Sequence, residues 1–499
     1  MDLAALGRLI GVGWVLARSD ALLPRELRDI YPAPVALASR LLGLVHGAEA
    51  RRGRPGERLA RSLERLGPVA IKLGQLLSTR ADIFGMAFAD DLSRLKDKLA
   101  PFPTARARRE VELALGQPVE AVFARFGEPV AAASLAQAHD AELKDGRRVA
   151  VKVLRPGIEQ QVERDAAVMT LAGAWVEAWS VTARRLEPVA LAQTVVAATR
   201  LELDLRLEAA GADELAGVMA RDGYMSAPRI VWEGVGKRVL TQEWAGGTAL
   251  TDAAALDLQG LDRQALADNL LRAFLAQALD HGVFHADLHE GNLFVAAPAS
   301  LVAVDFGIVG RLDASARRYL AEILWGFLNR DYERVARVHF EAGYVPARHS
   351  VAAFAQALRA VGEQVFGRPA SEISMSRVLI QLFEITALFE MKLRPELVLL
   401  QKTMMTVEGV ARRIQPDHDI WAAADPVVRR FMLRELSPPA QVRRFADEAL
   451  SALRSLVRLI EAGPAQTPAA PAPPQSQLAG FAMGAVVAAA AFLLARYLV

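Results

Sequence analysis

The hydrophobic positions divide the chain into stretches of different period. Residues 129–153 read PVAAASLAQAHDAELKDGRRVAVKV, two short apolar runs flanking Lys144-Asp145-Gly146. A period of two with Asp-Gly between the runs predicts a strand pair closed by a tight turn within residues 126–155. Residues 1–125 and 158–222 have helical spacing, with the turn signals RRGRPGE and PFPT in the first stretch. Strand character returns at 227–250, in APRIVWEG and KRVLTQEW, and from residue 262 onward helices dominate, interrupted by the segment 283–309. Residues 201–208, LELDLRLE, alternate apolar and charged, which alone suggests a half-buried strand. Their types are helix formers without a β-branched or aromatic member, so a helix is expected, with Asp204 and Glu208 four apart on one face. A small sheet with one helix, then a mainly helical lobe, predicts a bilobal α+β fold. No internal repeat is visible.

Candidate chemistry concentrates in FHADLHEGNLFVAAPASLVAVDFGIVG, residues 284–310. Phosphoryl transfer needs one carboxylate to orient the attacking oxygen, and an amide and a second carboxylate to hold Mg²⁺ against nucleotide phosphates. Asp287, Asn292 and Asp305 supply that set in order, Asp287 as base and the other two as metal ligands. His285 is expected to brace the loop backbone, and His289 to lie near the phosphates or a second metal. Lys152, in VAVKV, sits between apolar residues and must find a carboxylate or a phosphate. Glu208 is its candidate partner, with Glu202 the competitor. In LTQEWAGG, residues 240–247, backbone groups near Glu243 and Trp244 are placed to receive an adenine edge where two lobes hinge.

Where a kinase carries a glycine-rich loop, this chain has Ala131, Ala132 and Ala133. Glycine permits positive φ and close backbone approach to phosphate, and alanine restricts both. A nucleotide is therefore expected to be held differently, with Ser134 and Gln137 as candidate phosphate contacts.

Composition narrows the classes. Of 499 residues, 59 are Lys or Arg and 57 Asp or Glu, so the net charge of +2 gives no broad basic field and argues against nucleic acid as a partner. There is no cysteine, which excludes disulfides, zinc-thiolate sites and thiol nucleophiles. A Pro/Ala/Gln linker, PAQTPAAPAPPQSQ, precedes the uncharged run LAGFAMGAVVAAAAFLLA from Leu478 to Ala495, which just reaches bilayer length and predicts a tail anchor. The N-terminus lacks a basic start and Arg8 interrupts its apolar run, so the body is expected in the cytoplasm, with an amphipathic helix on a membrane or on the domain.

Six segments in order, GPVAIKLGQLLSTR, PVAAASLAQAH, ELDLRLEAA, FHADLHEGN, VDFG and LLQKTMMTVEGVARRIQP, resemble the UbiB family of atypical kinase-like proteins associated with ubiquinone biosynthesis. The resemblance runs from about residue 25 to 430 and implies a protein-kinase-like fold. It implies an N-terminal helical extension, 1–125, whose Lys-x-Gly-Gln segment, Lys72 to Gln75, lies over the site where a kinase admits its protein substrate. It further implies a kinase-like N-lobe at 126–250, a helical C-lobe at 251–460, a linker at 461–477 and a transmembrane anchor at 478–499. Lys72 is expected to pair with Glu202 and Asp204, and Lys152 with Glu208. ATP and Mg²⁺ are the implied cofactors. Membrane lipid, polyprenyl quinone precursors and other ubiquinone-biosynthesis enzymes are the implied partners, at a bacterial inner membrane. One departure stands out: Glu290 occupies a position where relatives usually carry proline, and it adds a negative charge near the metal-binding loop.

These features suit an anchored Mg²⁺-dependent ATPase or atypical kinase. A small-molecule or lipid phosphotransferase and a nucleotide-binding pseudokinase scaffold are the alternatives. The intact Asp287, Asn292 and Asp305 argue against the scaffold, and the absence of an Ala-Pro-Glu-type segment after Asp305 argues against an ordinary protein kinase.

Overall fold

The computed structural model describes residues 3–26, 33–78, 86–93, 95, 100–179, 187–257, 259–365, 381, 385, 388–391 and 395–435. The linker and the tail anchor expected at 461–499 lie outside the described residues. Among the described residues, no helix is long and apolar enough to cross a membrane.

The expected strand pair is part of a four-stranded antiparallel sheet in the order β1 (Phe123–Ala132), β2 (Ala136–Leu143), β3 (Arg148–Leu154), β4 (Val239–Glu243). Its β2–β3 turn closes as the Asp-Gly pair requires: Gly146 takes φ +84° and Asp145 Oδ1 accepts the Arg147 N–H at 3.0 Å. Alternation sorts the side chains onto two faces. Ala141, Val149, Val151, Val153 and Val239 meet Val111 and Phe123 on one face. On the other, Ala136, Leu154 and Leu240 share a core with residues from four helices.

Among the helices of the first half are α1 (Leu3–Arg18), α2 (Ala33–Leu42), α3 (Pro55–Leu66), α4 (Pro68–Ser78), α5 (Ile158–Trp179), α6 (Pro188–Glu202) and α7 (Leu205–Asp222). Val69 of α4 is buried with Ile158 and Val162 of α5, Val195 of α6 and Leu205 and Ala209 of α7. The N-terminal extension is therefore welded into the sheet's own core by apolar burial.

Two expectations change here. LELDLRLE is helical in kind but broken: α6 ends at Glu202 and α7 begins after Asp204, whose carboxylate caps α7 by accepting the Arg206 N–H at 3.2 Å. Leu203 and Leu205 are both buried at the break. APRIVWEG is not a strand. Its strand-like pairing with the sheet is a single isolated Ile230–Gln242 bridge, after which it forms a short 3₁₀ turn at Trp232–Gly234. Gly234 packs onto Thr241, where an added Cβ would lie 2.5 Å from Thr241 Oγ1.

The helical lobe contains α8 (Arg263–Ala276), α9 (Ala314–Leu328), α10 (Tyr332–Glu341), α11 (Val351–Val365), α12 (Pro395–Ile414) and α13 (Ile420–Glu435). Helix α8 runs into a π turn, Gln277–His281, ended by Gly282 at φ +72°. Phe274, Phe284, Phe306, Val407, Val410, Val427 and Phe431 join α8, α12 and α13 in one core. Four short strands carry the interrupting segment: β5 (Val283–His285) pairs with β8 (Val309–Arg311), and β6 (Leu293–Ala296) with β7 (Ser300–Ala303). They hold the loop between His285 and Asn292 at the cleft between the lobes.

Candidate functional site

Lys152 points away from the Val151 and Val153 face of β3, toward α7. Its Nζ lies 2.7 and 2.9 Å from the two carboxylate oxygens of Glu208 and 3.0 Å from Asp305 Oδ1. Burial opposes the ammonium charge, but the carboxylates of Asp305 and Glu208 outweigh it and hold Lys152 well above the usual lysine range. Lys152 in turn holds Asp305 well below the usual carboxylate range. Asp305 adopts φ +60°, a left-handed backbone rare outside glycine, between Val304, whose N–H bonds the Asn292 carbonyl at 2.9 Å, and buried Phe306.

The loop at Asp287 is braced from several sides. His285 is fully buried; its Nδ1 accepts the Asp287 N–H at 3.1 Å, which leaves Nε2–H to donate to the Val304 carbonyl at 3.2 Å. Burial pushes the imidazole pKa down, so the ring is a neutral strut. Asn292 Nδ2 donates to the Asp287 carbonyl at 3.0 Å, turning its amide oxygen over to other use. His289 lies half exposed beside Asp287, its Nε2 3.6 Å from Asp287 Oδ2 and its Nδ1 accepting the Gly291 N–H at 2.9 Å. Glu290, the extra acid, pairs with Arg413 of α12.

Two supports carry no signal in the motifs. Gln277, in the π turn, accepts the His285 N–H at 3.0 Å, and Thr403 of α12 donates to the Ala286 carbonyl at 3.1 Å. Thr403 sits inside LLQKTMMTVEGVARRIQP, so the segment was visible while its contact was not.

The extension reaches the site through Lys72, whose Nζ is 2.7 Å from Glu202 and whose charge adds to the field lowering Asp305. Gln75 follows on α4. Between them Gly74 lets α4 pack closely: a Cβ there would meet Leu63 Cδ1 at 2.7 Å and Leu95 closer still. Asp204 does not pair with Lys72. Its carboxylate is taken by the Arg206 guanidinium, at 2.6 and 2.8 Å, because the helix break places it at the start of α7.

The alanine stretch is not an open loop. Ala131 and Ala132 lie in the β1–β2 ladder opposite Ala138 and Gln137, and the turn is closed by the Ala133 N–H on the Ala136 carbonyl at 2.8 Å. Ser134 and Gln137, expected at phosphates, are instead buried. The Gln137 amide is spent on the Phe102 backbone, accepting its N–H at 2.8 Å and donating to its carbonyl at 3.0 Å, and on His139. At the hinge, the N–H groups of Glu243 and Trp244 bond the carbonyls of Arg229 and Arg148, and the Arg148 guanidinium stacks 3.7 Å from the Trp244 ring centre. An adenine edge would have to use their carbonyls or the residues that follow.

Among the described residues, no cluster of three or more His, Asp or Glu forms a metal cage. The donors gathered near the cleft are the two carboxylates of Asp287 and Asp305 and the Asn292 amide oxygen, an all-oxygen set of the kind a hard cation takes.

Residues 94–339 match the ABC1 atypical kinase-like domain, and residues 358–419 match the UbiB helical domain. A solved structure of Rv3197 with erythromycin, from Mycobacterium tuberculosis, covers 79% of this chain and 98% of its own at 21% identity and a TM-score of 0.50, a likeness of fold. Fold and matched domain together define an atypical kinase-like protein. A probable protein kinase UbiB of Cellvibrio japonicus is 38% identical over 91% of this chain and 83% of its own length. One of Pseudomonas putida is 41% identical over 79% of this chain and 74% of its own. The chain belongs to the UbiB family.

Proposed function

We propose that the protein binds ATP with Mg²⁺ in the interlobe cleft and turns it over at a membrane in support of ubiquinone biosynthesis. The observation that carries this reading is the Lys152–Glu208–Asp305 trio, which aims a fixed ammonium at the mouth of a loop bearing Asp287 and Asn292. In this reading Lys152 holds phosphate oxygens and Glu208 holds Lys152. Asp287 accepts the proton of the attacking hydroxyl or water, and neutral His285 keeps the loop backbone in register. Asn292 and Asp305 would hold Mg²⁺, which supplies charge neutralisation on the phosphates.

Lys72, held on Glu202 by a helix of the extension, supports a small acceptor or water over a protein substrate. A membrane position is supported by exposed apolar residues on the extension: Ile10 and Trp14 on α1, and Leu37, Leu41 and Leu44, spaced three to four apart along and just beyond α2. With the predicted tail anchor, that face would rest the body near lipid-borne quinone precursors, which ATP turnover could extract or present to the enzymes that modify them.

The test is a deletion strain complemented with wild type or Asp305→Asn, read by quinone profile, alongside ATP turnover by the purified proteins. Loss of turnover together with accumulation of an early prenylated intermediate is expected. Normal quinone levels without turnover would refute the proposal, and a phosphorylated small molecule formed in place of free phosphate would make the protein a phosphotransferase.

A further inference from the structure

Helix α12, which lies within the matched helical domain, grips the catalytic loop on both sides of Asp287. Thr403 donates to the carbonyl of Ala286, the residue just before Asp287. Nearly three turns further along, Arg413 in the last turn of α12 pairs with Glu290, three residues after Asp287. Glu290 opens the three-residue 3₁₀ turn Glu290–Asn292, and that turn delivers the candidate metal ligand Asn292.

The pair is half exposed, with 39% and 32% of the two side-chain surfaces open, so its burial contributes little. Its position matters more. Thr403 holds the loop before Asp287, and the His289 ring caps the turn from within, accepting the Gly291 N–H at 2.9 Å. The Glu290–Arg413 pair restrains the first residue of the turn from outside, while its last residue, Asn292, is held by the Val304 N–H on its carbonyl at 2.9 Å. It also cancels the charge that Glu290 brings beside Asp287 and Asn292.

We infer that Glu290 and Arg413 are a positioning pair through which the helical domain sets the Asn292 turn. The inference rests on the nucleotide reading above and deepens it.

The test uses the full chain and a fluorescent ADP analogue, titrated with and without Mg²⁺. The proteins are wild type, Glu290→Gln, Arg413→Gln and the reversed pair Glu290→Arg/Arg413→Glu, with thermal melting as the folding control. Both single variants are expected to weaken Mg²⁺-dependent affinity by about threefold to tenfold, as contacting coupled residues do, while leaving Mg²⁺-free affinity and melting unchanged. The reversed pair is expected to regain most of the loss. If the pair acted through charge alone, Arg413→Gln would tighten Mg²⁺-dependent binding by unmasking a carboxylate and Glu290→Gln would not, and opposite shifts of this kind overturn the inference. Unchanged affinity in both single variants, or a reversed pair no better than either, also overturns it. A wild type without Mg²⁺-dependent binding would reject the nucleotide site itself, a result distinct from all of these.

Discussion

Single residues in the site act through burial and charge. His285 is the clearest case: enclosed in the core, it serves as an acceptor at Nδ1 and a donor at Nε2 only while neutral. Its pKa in the fold lies below the ordinary imidazole value of about 6.5, so above that pH both folded and unfolded states are neutral and stability is unaffected. As the pH falls below it, the unfolded chain binds a proton that the folded loop refuses, and stability drops by up to about 1.4 kcal/mol per pH unit for one proton. Burial depresses His139 and His339 in the same way. Urea unfolding at pH 7.5 and 5.5 should therefore show a less stable protein at the lower pH, with a smaller loss in His285→Gln. An equal loss in the variant would assign the acid sensitivity elsewhere. The residues proposed for the site were legible as candidates because Asp287, Asn292 and Asp305 lie in one stretch with fixed spacing. Gln277 and Thr403 were not, since nothing local marks a side chain whose only role is to reach a distant backbone group.

At the scale of elements, the hairpin and the helical lobe followed from period and turn chemistry, while the ends of elements did not. LELDLRLE illustrates why: its residue types favour a helix throughout, but Asp204 serves better as a cap than as a helix interior residue, and the break lets Leu203 and Leu205 both reach the core. Gly74 shows the same in α4. Alanine there would gain about 1 kcal/mol of helix propensity. It would also press into Leu63 and Leu95, and overpacking of a filled core costs about 1–3 kcal/mol, so packing should win. Gly74→Ala is expected to lower stability by about 1 kcal/mol in urea unfolding, the difference between those two effects. A more stable variant would mean that the α4 interface yields freely.

For the whole molecule, the decisive feature is the shared core beneath the sheet. Val69, with partly buried Leu73 and Leu76, belongs to the same apolar cluster as Leu154 of β3 and Ala209 of α7. The extension thus stabilises the lobe that carries Lys152 and Glu208, and it brings Lys72 to Glu202. Deleting residues 1–78 should accordingly yield a chain that fails to melt cooperatively by circular dichroism or that aggregates. A stable, cooperatively melting fragment would show instead that the extension is an appendage.

The amino-acid sequence by itself determined the order of the motifs, the α+β class and the chemical identities at the cleft, because those are carried by contiguous residues with local spacing. The resemblance already implied Glu208 for Lys152 and Glu202 for Lys72, and only the tertiary structure decided the rest: Arg206 rather than Lys72 for Asp204, the Phe102 backbone for Gln137 and Arg413 for Glu290. Lys152 meets carboxylates 56 and 153 positions away within 3.0 Å. Charge and hydrogen bonding act over a few ångströms in space, so pairing between such distant positions depends on how the cores pack, which no single stretch of the chain encodes.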